Sequence, residues 1–380
     1  MLHGGRAGVW IALALVASAA GCQPRSRPVQ FVKPALLDAM GPRIEAAAAE
    51  GPAALAPFFD WDGLAERSAP AGLALGEREG FLRGVRESLG ADGGGLVRAI
   101  TDGRYSYRGV AWRDGHPVAR FRFLPPAGGF NFHDLVIVRT DGGEARVVDM
   151  FVMTSSEYVS DSMRRIAAFL LGDTSSVMAR IFGDQAVSQD DIDAVRDFNQ
   201  LAANGDANAA LAAYDALAPR IRQQRAMRLL RVQAASRLDD QARYLTILNE
   251  TAVNLPGDPA LSSMMLDAHY LSASWDACLA DLTALRLTYD DPYIDAFEGR
   301  VHVAAGDHAR ALALADRVIA AEDSLIDGHD VALLAALGLG QTDRARHELD
   351  RLVAEHGVDP ARLASLPGYE GVASLPPSSP

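Results

Sequence analysis

Lysine and cysteine are almost missing from this 380-residue chain. Lys33 is the only lysine, and the 36 Lys and Arg residues are outnumbered by 49 Asp and Glu residues, which leaves a net charge of -13. Because an acidic chain without a basic cluster is poorly suited to phosphate backbones, we expect no nucleic-acid partner. The two cysteines, Cys22 and Cys278, allow at most one disulfide, so a disulfide scaffold is excluded.

Long hydrophobic runs are also scarce. Residues 7–21 follow Arg6 and carry no charge, but a membrane span needs about 20 apolar residues. A basic residue, a short apolar run and small residues at its end are typical of a secretory signal peptide, which we place at residues 1–21. No second apolar run reaches membrane length, so we expect the remaining chain to be soluble.

Cys22 directly follows Ala19-Ala20-Gly21. This stretch resembles the lipobox of bacterial lipoproteins, although Leu usually stands where this chain has Ala19. The resemblance implies cleavage before Cys22 and acylation of Cys22, with chains such as palmitate, so membrane lipid is one expected partner. Gln23 implies sorting to the outer membrane, facing the periplasm. An ordinary secretory signal with an incidental cysteine is the alternative. Residues 22–29 would form the lipidated cysteine and a polar linker.

The second half of the chain repeats at intervals of 33 or 34 residues. Equivalent turn residues stand at Gly205, Asp239, Ala273, Gly306 and Gly340. Five residues after each turn stand Ala210, Tyr244, Cys278, Ala311 and Ala345, which are mostly small. Small side chains allow two helices to cross closely, so the pattern predicts stacked helix pairs. Tyr244 is large for such a crossing, which predicts a looser second pair.

This period and these small residues resemble the tetratricopeptide repeat (TPR), in a degenerate form. The resemblance implies a TPR-like helical solenoid, which we place at residues 173–366, with a capping sequence at Ser188–Asp191. Residues 367–380 are rich in Pro and Ser and are predicted to be a flexible tail. Arrays of this kind bind peptides or partner helices on a concave face. The alternative is that the array only packs on the preceding domain, or dimerises.

Candidate partner-binding residues occupy first-helix positions of the repeats. They are Asp197, Arg231, Asp295, Arg300 and His302.

The first half predicts helices followed by an antiparallel sheet. Apolar residues three to four apart predict helices between residues 31 and 100, and another helix begins near Glu157. Alternating patterns predict four strands, at Tyr105–Trp112, Pro117–Leu124, Phe132–Arg139 and Ala145–Met153. Asp114-Gly115 and Asp141-Gly142-Gly143 are hairpin signals. The predicted fold class is therefore α+β followed by all-α.

Helices followed by a four-stranded meander resemble the NTF2-like (cystatin-like) cone, which we place at residues 30–172. Within it, "FFDWDGLAERSAP" and "VVDMFV" resemble periplasmic phospholipid-shuttle proteins of that fold. The resemblance implies a pocket enclosed by the sheet and a helix. Candidate pocket residues are Arg120, Phe121, Phe123, His133, Leu135, Asp149 and Phe151.

We expect no catalytic residue, metal site or cofactor. His133 and Asp134 are adjacent on a predicted strand, so their side chains point to opposite faces and cannot both line one pocket. The favoured function is a membrane-anchored, non-catalytic scaffold that binds a protein or peptide in the cell envelope. The alternative is a carrier or sensor of a phospholipid or another apolar ligand in the NTF2-like pocket.

Overall fold

The computed structural model describes residues 30–70, 73, 75–89, 94–126, 128–170, 188–203, 205–256 and 258–376. From Phe31 onward, the chain forms one compact unit. The predicted signal peptide, Cys22, the linker and the predicted domain boundary at residues 172–173 lie outside the described residues.

The first part of the chain has the predicted α+β character. Its helices are α1 (Pro34–Glu50), α2 (Pro52–Leu55), α3 (Trp61–Ser68), α4 (Leu75–Leu89), α5 (Gly94–Thr101) and α6 (Val159–Leu170), with a 3₁₀ turn at Ala56–Phe58. Its strands are β1 (Arg104–Arg113), β2 (His116–Leu124), β3 (Asn131–Arg139), β4 (Ala145–Val152) and β5 (Glu157–Tyr158).

The strands form one antiparallel sheet in the order β1-β2-β3-β4-β5. Asp114 and Gly115 join β1 to β2 and both have positive φ, as a type I′ hairpin turn requires. The four predicted strands are confirmed to within two residues at each end. The fifth strand was not predicted, because two residues are too few to show an alternating pattern.

Helix α1 covers one face of the sheet. Leu37 and Ile44 of α1 share a buried core with Phe121 of β2. A Cβ atom added at Gly41 would lie 2.4 Å from the ring of Tyr107. The missing side chain at Gly41 therefore lets α1 approach the sheet closely enough to bury Leu37, Ile44 and Phe121. Burial of each such side chain contributes about 1.5–3 kcal/mol to the free energy of unfolding.

The second part of the chain is all-α, as predicted. The described residues from 188 to 376 hold five successive helix pairs, α7/α8 (Gln189–Ala203, Ala207–Ala216), α10/α11 (Arg225–Ala235, Gln241–Asn254), α12/α13 (Pro259–Leu271, Trp275–Thr288), α14/α15 (Pro292–Ala304, His308–Ala321) and α16/α17 (Ile326–Gly338, Thr342–His356). Helix α9 (Pro219–Arg222) joins the first two pairs, and α18 (Pro360–Ala364) follows the last.

The turns within the pairs lie where the repeat period predicts them. Gly205, Gly306 and Gly340 have positive φ, and Ala273 also adopts this conformation. Asp239 instead lies in a longer turn, residues 236–240, compared with 272–274 or 305–307 in other pairs. This longer turn accompanies the bulky Tyr244 and agrees with the prediction of a looser second pair.

A reciprocal cap begins α7. The Ser188 backbone N–H donates to Asp191 Oδ2 at 2.9 Å, and the Asp191 N–H donates to Ser188 Oγ at 3.2 Å. Two N–H groups that helix geometry leaves unpaired are thereby satisfied. The predicted capping sequence is therefore present.

The C-terminal residues depart from the sequence prediction. Glu370–Ser374 form a 3₁₀ helix, and Val372 is buried against Leu333 and Leu349 of the last pair. The prediction of a flexible tail from residue 367 therefore does not hold for residues 367–376. Composition misled the prediction, because a single Val372 fills an apolar gap at the end of the array. Residues 377–380 lie outside the described residues.

Candidate functional site

We use the name inner face for the first helices of the pairs (α7, α10, α12, α14 and α16), where the candidate partner-binding residues stand. The sheet packs against the beginning of α14 and the connection that precedes it. Phe130, in the β2–β3 connection, lies 5.1 Å from Tyr293 between ring centroids, and Phe132 of β3 stacks on Tyr289 at 4.4 Å. The sheet itself therefore occupies part of the surface predicted to bind a partner.

A buried group of charges, which we call the junction cluster, joins the sheet to the helices. Arg122 of β2 has no exposed surface and binds Asp291 at 2.7 Å and Glu322 at 2.5 Å. Arg108 of β1 binds the same two carboxylates at 2.7 and 2.9 Å. Burial opposes ionisation of Glu322, but the hydrogen bond and the charge of Arg122 outweigh it and lower the pKa of Glu322.

A second charged group lies beside this cluster on the same face of the sheet. Asp134 accepts hydrogen bonds from Arg113 at 2.8 Å and from Arg120 at 2.7 Å. The Arg120 guanidinium also donates to the Thr288 carbonyl and lies 4.5 Å from the Tyr289 ring centroid. Arg120, a predicted pocket residue, thus binds the helical region.

The predicted pocket residues on the α1 side are mostly enclosed in the core. Phe121 and Leu135 have no exposed surface. His133 packs between the rings of Tyr105 and Phe123, and its Nδ1 atom has no hydrogen-bond partner among the described residues. Burial lowers the pKa of His133 to about 4, against the opposing charge of nearby Asp134.

The two remaining pocket candidates have other surroundings. Asp149 accepts a hydrogen bond from the Ser160 hydroxyl at 2.6 Å. Burial raises the pKa of Asp149, although this hydrogen bond opposes the shift. The Arg113 guanidinium lies over the Phe151 ring, with its Cζ atom 3.5 Å from the ring centroid. The structure therefore brings four candidates together on the α1 side, Phe121, Phe123, His133 and Leu135, but does not assemble all seven in one pocket. His133 and Asp134 face opposite sides, as the strand alternation predicts.

The candidate partner-binding residues are also dispersed. Arg300 binds Asp327 and Asp330, Asp295 binds Arg286 and Arg317, and Arg231 binds Glu250. His302 is buried and Asp197 is exposed on α7. Arg300 and Asp295 line different cavities.

A cavity of about 700 Å³, which we call the C-terminal groove, lies at the end of the inner face. Its walls come from α14, α16 and the segment 367–375. The Tyr369 hydroxyl donates to Asp330 at 2.5 Å, and Arg300 binds the other oxygen of Asp330 at 2.9 Å. Half-buried Leu334 and Leu337 supply apolar surface. Sequence reasoning missed Tyr369, because it stands in the tail predicted to be flexible.

A second groove, of about 680 Å³, is lined by charged residues of α13, α14 and α15. Asp295 bridges Arg286 at 2.8 Å and Arg317 at 3.0 Å, and Glu298 also binds Arg286. Because these charges satisfy one another, this groove is less suited than the C-terminal groove to an apolar segment of a partner.

A third cavity, of about 590 Å³, lies between the edge of the sheet and helices α10 and α12. We call it the sheet-edge cavity. Phe123 and Val152 line it from the sheet, and Leu229 and Met264 line it from the helices. Asp267 is its acidic residue on α12. Phe123 is the one predicted pocket residue among the described residues that line this cavity.

Two features, a metal-binding group and a membrane-spanning helix, are not found in the described part of the chain. Among residues 30–376, excluding those not described, no group of three or more His, Cys, Asp or Glu side chains could hold a metal ion. Within that same part of the chain, none of the helices combines the length and apolarity that crossing a membrane requires.

Comparisons with known proteins give one weak similarity. No family model matches the chain, and the comparison with curated proteins also gives no match. Among solved structures, the chain is similar to the crystal structure of MamA protein, with 14% sequence identity and a TM-score of 0.37. The similarity covers 44% of this chain and 92% of that chain. At this TM-score, the shared geometry is too limited to define a fold or a function.

Proposed function

We propose that this chain is a non-catalytic scaffold that binds a protein or peptide partner through its helical region. The observation that carries the proposal is the C-terminal groove, which leaves apolar and polar surface open beside the part of the inner face that the sheet occupies. In this proposal the five helix pairs form a degenerate TPR-like solenoid, and their stacking creates the groove.

The first part of the chain is proposed to be an NTF2-like cone that positions the array. The placement of α1 across the sheet supports this proposal. Phe121 and Leu135 are fully buried beneath α1, so their side chains already fill space that an apolar ligand of the cone would need. Their burial favours partner binding over the carrier alternative for this part of the molecule.

The groove test uses a photoreactive residue in living cells. With p-benzoylphenylalanine at Leu334, which is half-buried in the C-terminal groove, we expect one dominant crosslinked band of higher mass. The matched control places the same residue at Leu287, which is 88% exposed at the end of α13. Equal bands at the two positions, or no band at Leu334, would contradict binding in the groove.

The proposed location is the periplasmic side of the bacterial outer membrane, with Cys22 as the lipid anchor. Cys22 follows small residues at the end of the apolar run, where a lipobox cysteine stands. Two or more acyl chains are sufficient for stable attachment to a bilayer. Attachment would raise the local concentration of a weak binder at the membrane.

Anchoring can be tested by one substitution. We expect Cys22→Ser to abolish labelling of the protein by radioactive palmitate and to move it out of the outer-membrane fraction. Cys278→Ser is the control, because Cys278 is buried between helices and should be neither labelled nor required for anchoring. Palmitate labelling that persists in Cys22→Ser would contradict the proposed anchor.

A further inference from the structure

The sheet-edge cavity has the size and lining of a small-molecule site. Its volume of about 590 Å³ lies within the range of about 300–1,000 Å³ that is usual for ligand pockets. Pockets of this kind often form between parts of a structure, as here between the sheet and the helices. Most of its lining is apolar, and Phe123, Phe130, Leu229, Leu230, Met264 and Phe297 contribute large side chains.

Asp267 is the unusual residue of this cavity. Its carboxylate has no hydrogen-bond or ion-pair partner within the described part of the chain. The side chain is open to solvent in the cavity, yet the surrounding protein removes enough water to raise the pKa of Asp267 to about 6. A carboxylate that has no partner in the protein can bind a cationic group of a ligand without breaking an existing contact.

Tyr244 is an aromatic residue of the same cavity. Burial raises the pKa of the Tyr244 hydroxyl to about 12, and the charge of nearby Asp267 adds to this shift. Both residues line the cavity, from α11 and α12 respectively. The cavity therefore combines a carboxylate with an aromatic ring, and an organic cation interacts favourably with both.

The other charges of the cavity disfavour an anionic ligand. Arg225 is held by Asp258 through two hydrogen bonds, one of them 2.9 Å long, so its charge is already compensated. Glu157 adds a second carboxylate to the lining and accepts a hydrogen bond from Ser162. A fatty acid or a phosphate would therefore meet net negative charge in this cavity.

We propose that the sheet-edge cavity binds a small apolar molecule that carries one ammonium or guanidinium group. The cation binds Asp267, and the apolar part lies along Leu229, Met264 and Val152. This site is separate from the C-terminal groove, so it adds a ligand to the partner binding proposed above and does not depend on it.

Three ten-carbon compounds with different head groups test the proposal on the full chain. Decylamine, 1-decanol and decanoate share their apolar part, and isothermal titration calorimetry gives the Kd of each. We expect decylamine to bind at least about tenfold more tightly than decanol, because its ammonium group binds a carboxylate that lacks a partner. Decanoate should bind most weakly.

Two variants connect this affinity to the cavity. Asp267→Asn should weaken decylamine binding at least about tenfold and leave decanol binding unchanged. Met264→Trp should fill the cavity and remove the binding of both compounds. Asp276→Asn is the matched control, since Asp276 is likewise an exposed aspartate of the same helix pair but is not among the residues that line the cavity. Equal affinities for decylamine and decanol, no binding of either, or an equal loss in Asp267→Asn and Asp276→Asn would overturn the proposal.

Discussion

Replacement of Arg122 by methionine is expected to lower the free energy of unfolding by about 3 kcal/mol. The Arg122 guanidinium is fully buried and binds both Asp291 and Glu322. Methionine fills much of the same volume, but it leaves two carboxylates to share Arg108. A buried charge that loses its counterion costs more than the ion pair contributed. Urea unfolding followed by circular dichroism measures the difference.

The control for this experiment is Arg83→Met, because Arg83 is exposed on α4 and its loss should change stability by no more than about 0.5 kcal/mol. The pH dependence gives a second test. A lowered pKa at Glu322 adds stability above the ordinary glutamate pKa of about 4.3, and this stability is lost as the pH falls through the pKa of the folded state. The difference between the unmodified chain and Arg122→Met should therefore narrow below about pH 4. An undiminished difference there would show that Arg122 does not stabilise the Glu322 carboxylate.

Phe132→Ala should destabilise the chain by about 3–5 kcal/mol, because it removes a large side chain from a site that the backbone cannot easily close. Phe132 is 1% exposed and stacks on Tyr289, and it shares a core with Leu266 and Ile294 of the helical region. Since this core joins the sheet to the helices, we also expect the two parts to unfold less cooperatively. Tryptophan fluorescence and far-ultraviolet circular dichroism should then report separate transitions.

Trp112→Ala is the comparison for this prediction. Trp112 also lies on a strand, but it is 67% exposed, so its removal should cost far less than the removal of Phe132. Equal losses of stability in the two variants would mean that the contact between Phe132 and Tyr289 contributes little to the fold.

Local patterns in the sequence were sufficient to predict much of the fold. Asp114-Gly115 marked a hairpin because few residue pairs adopt two successive positive φ values, and the structure shows both. The period of 33 or 34 residues located the helix pairs, because the turn between the two helices of a pair recurs once in every repeat. Cys278 could be assigned to a helix crossing for the same reason, and it is fully buried there.

Contacts between distant parts of the chain could not be predicted in this way. Arg122 and Asp291 are 169 residues apart, and neither stands in a pattern that identifies the other. Asp267 looks like any surface aspartate of a helix, because its place in the lining of the sheet-edge cavity depends on where the sheet packs. The predicted pocket failed to assemble as one site for a related reason: the alternation of a strand shows which residues share a face, but not which of its two faces meets the helices.

The long separation within the junction cluster also bears on the order in which the molecule is made. Arg108 and Arg122 leave the ribosome well before Asp291 and Glu322. The helix pairs can form from neighbouring residues as they emerge, because each contacts mainly the pairs next to it. The sheet, in contrast, must keep its arginines hydrated until the fourth pair is complete. Closure of the sheet onto the array therefore cannot precede the fourth pair, and we expect a chain interrupted before residue 291 to expose the apolar and basic surface that this closure buries.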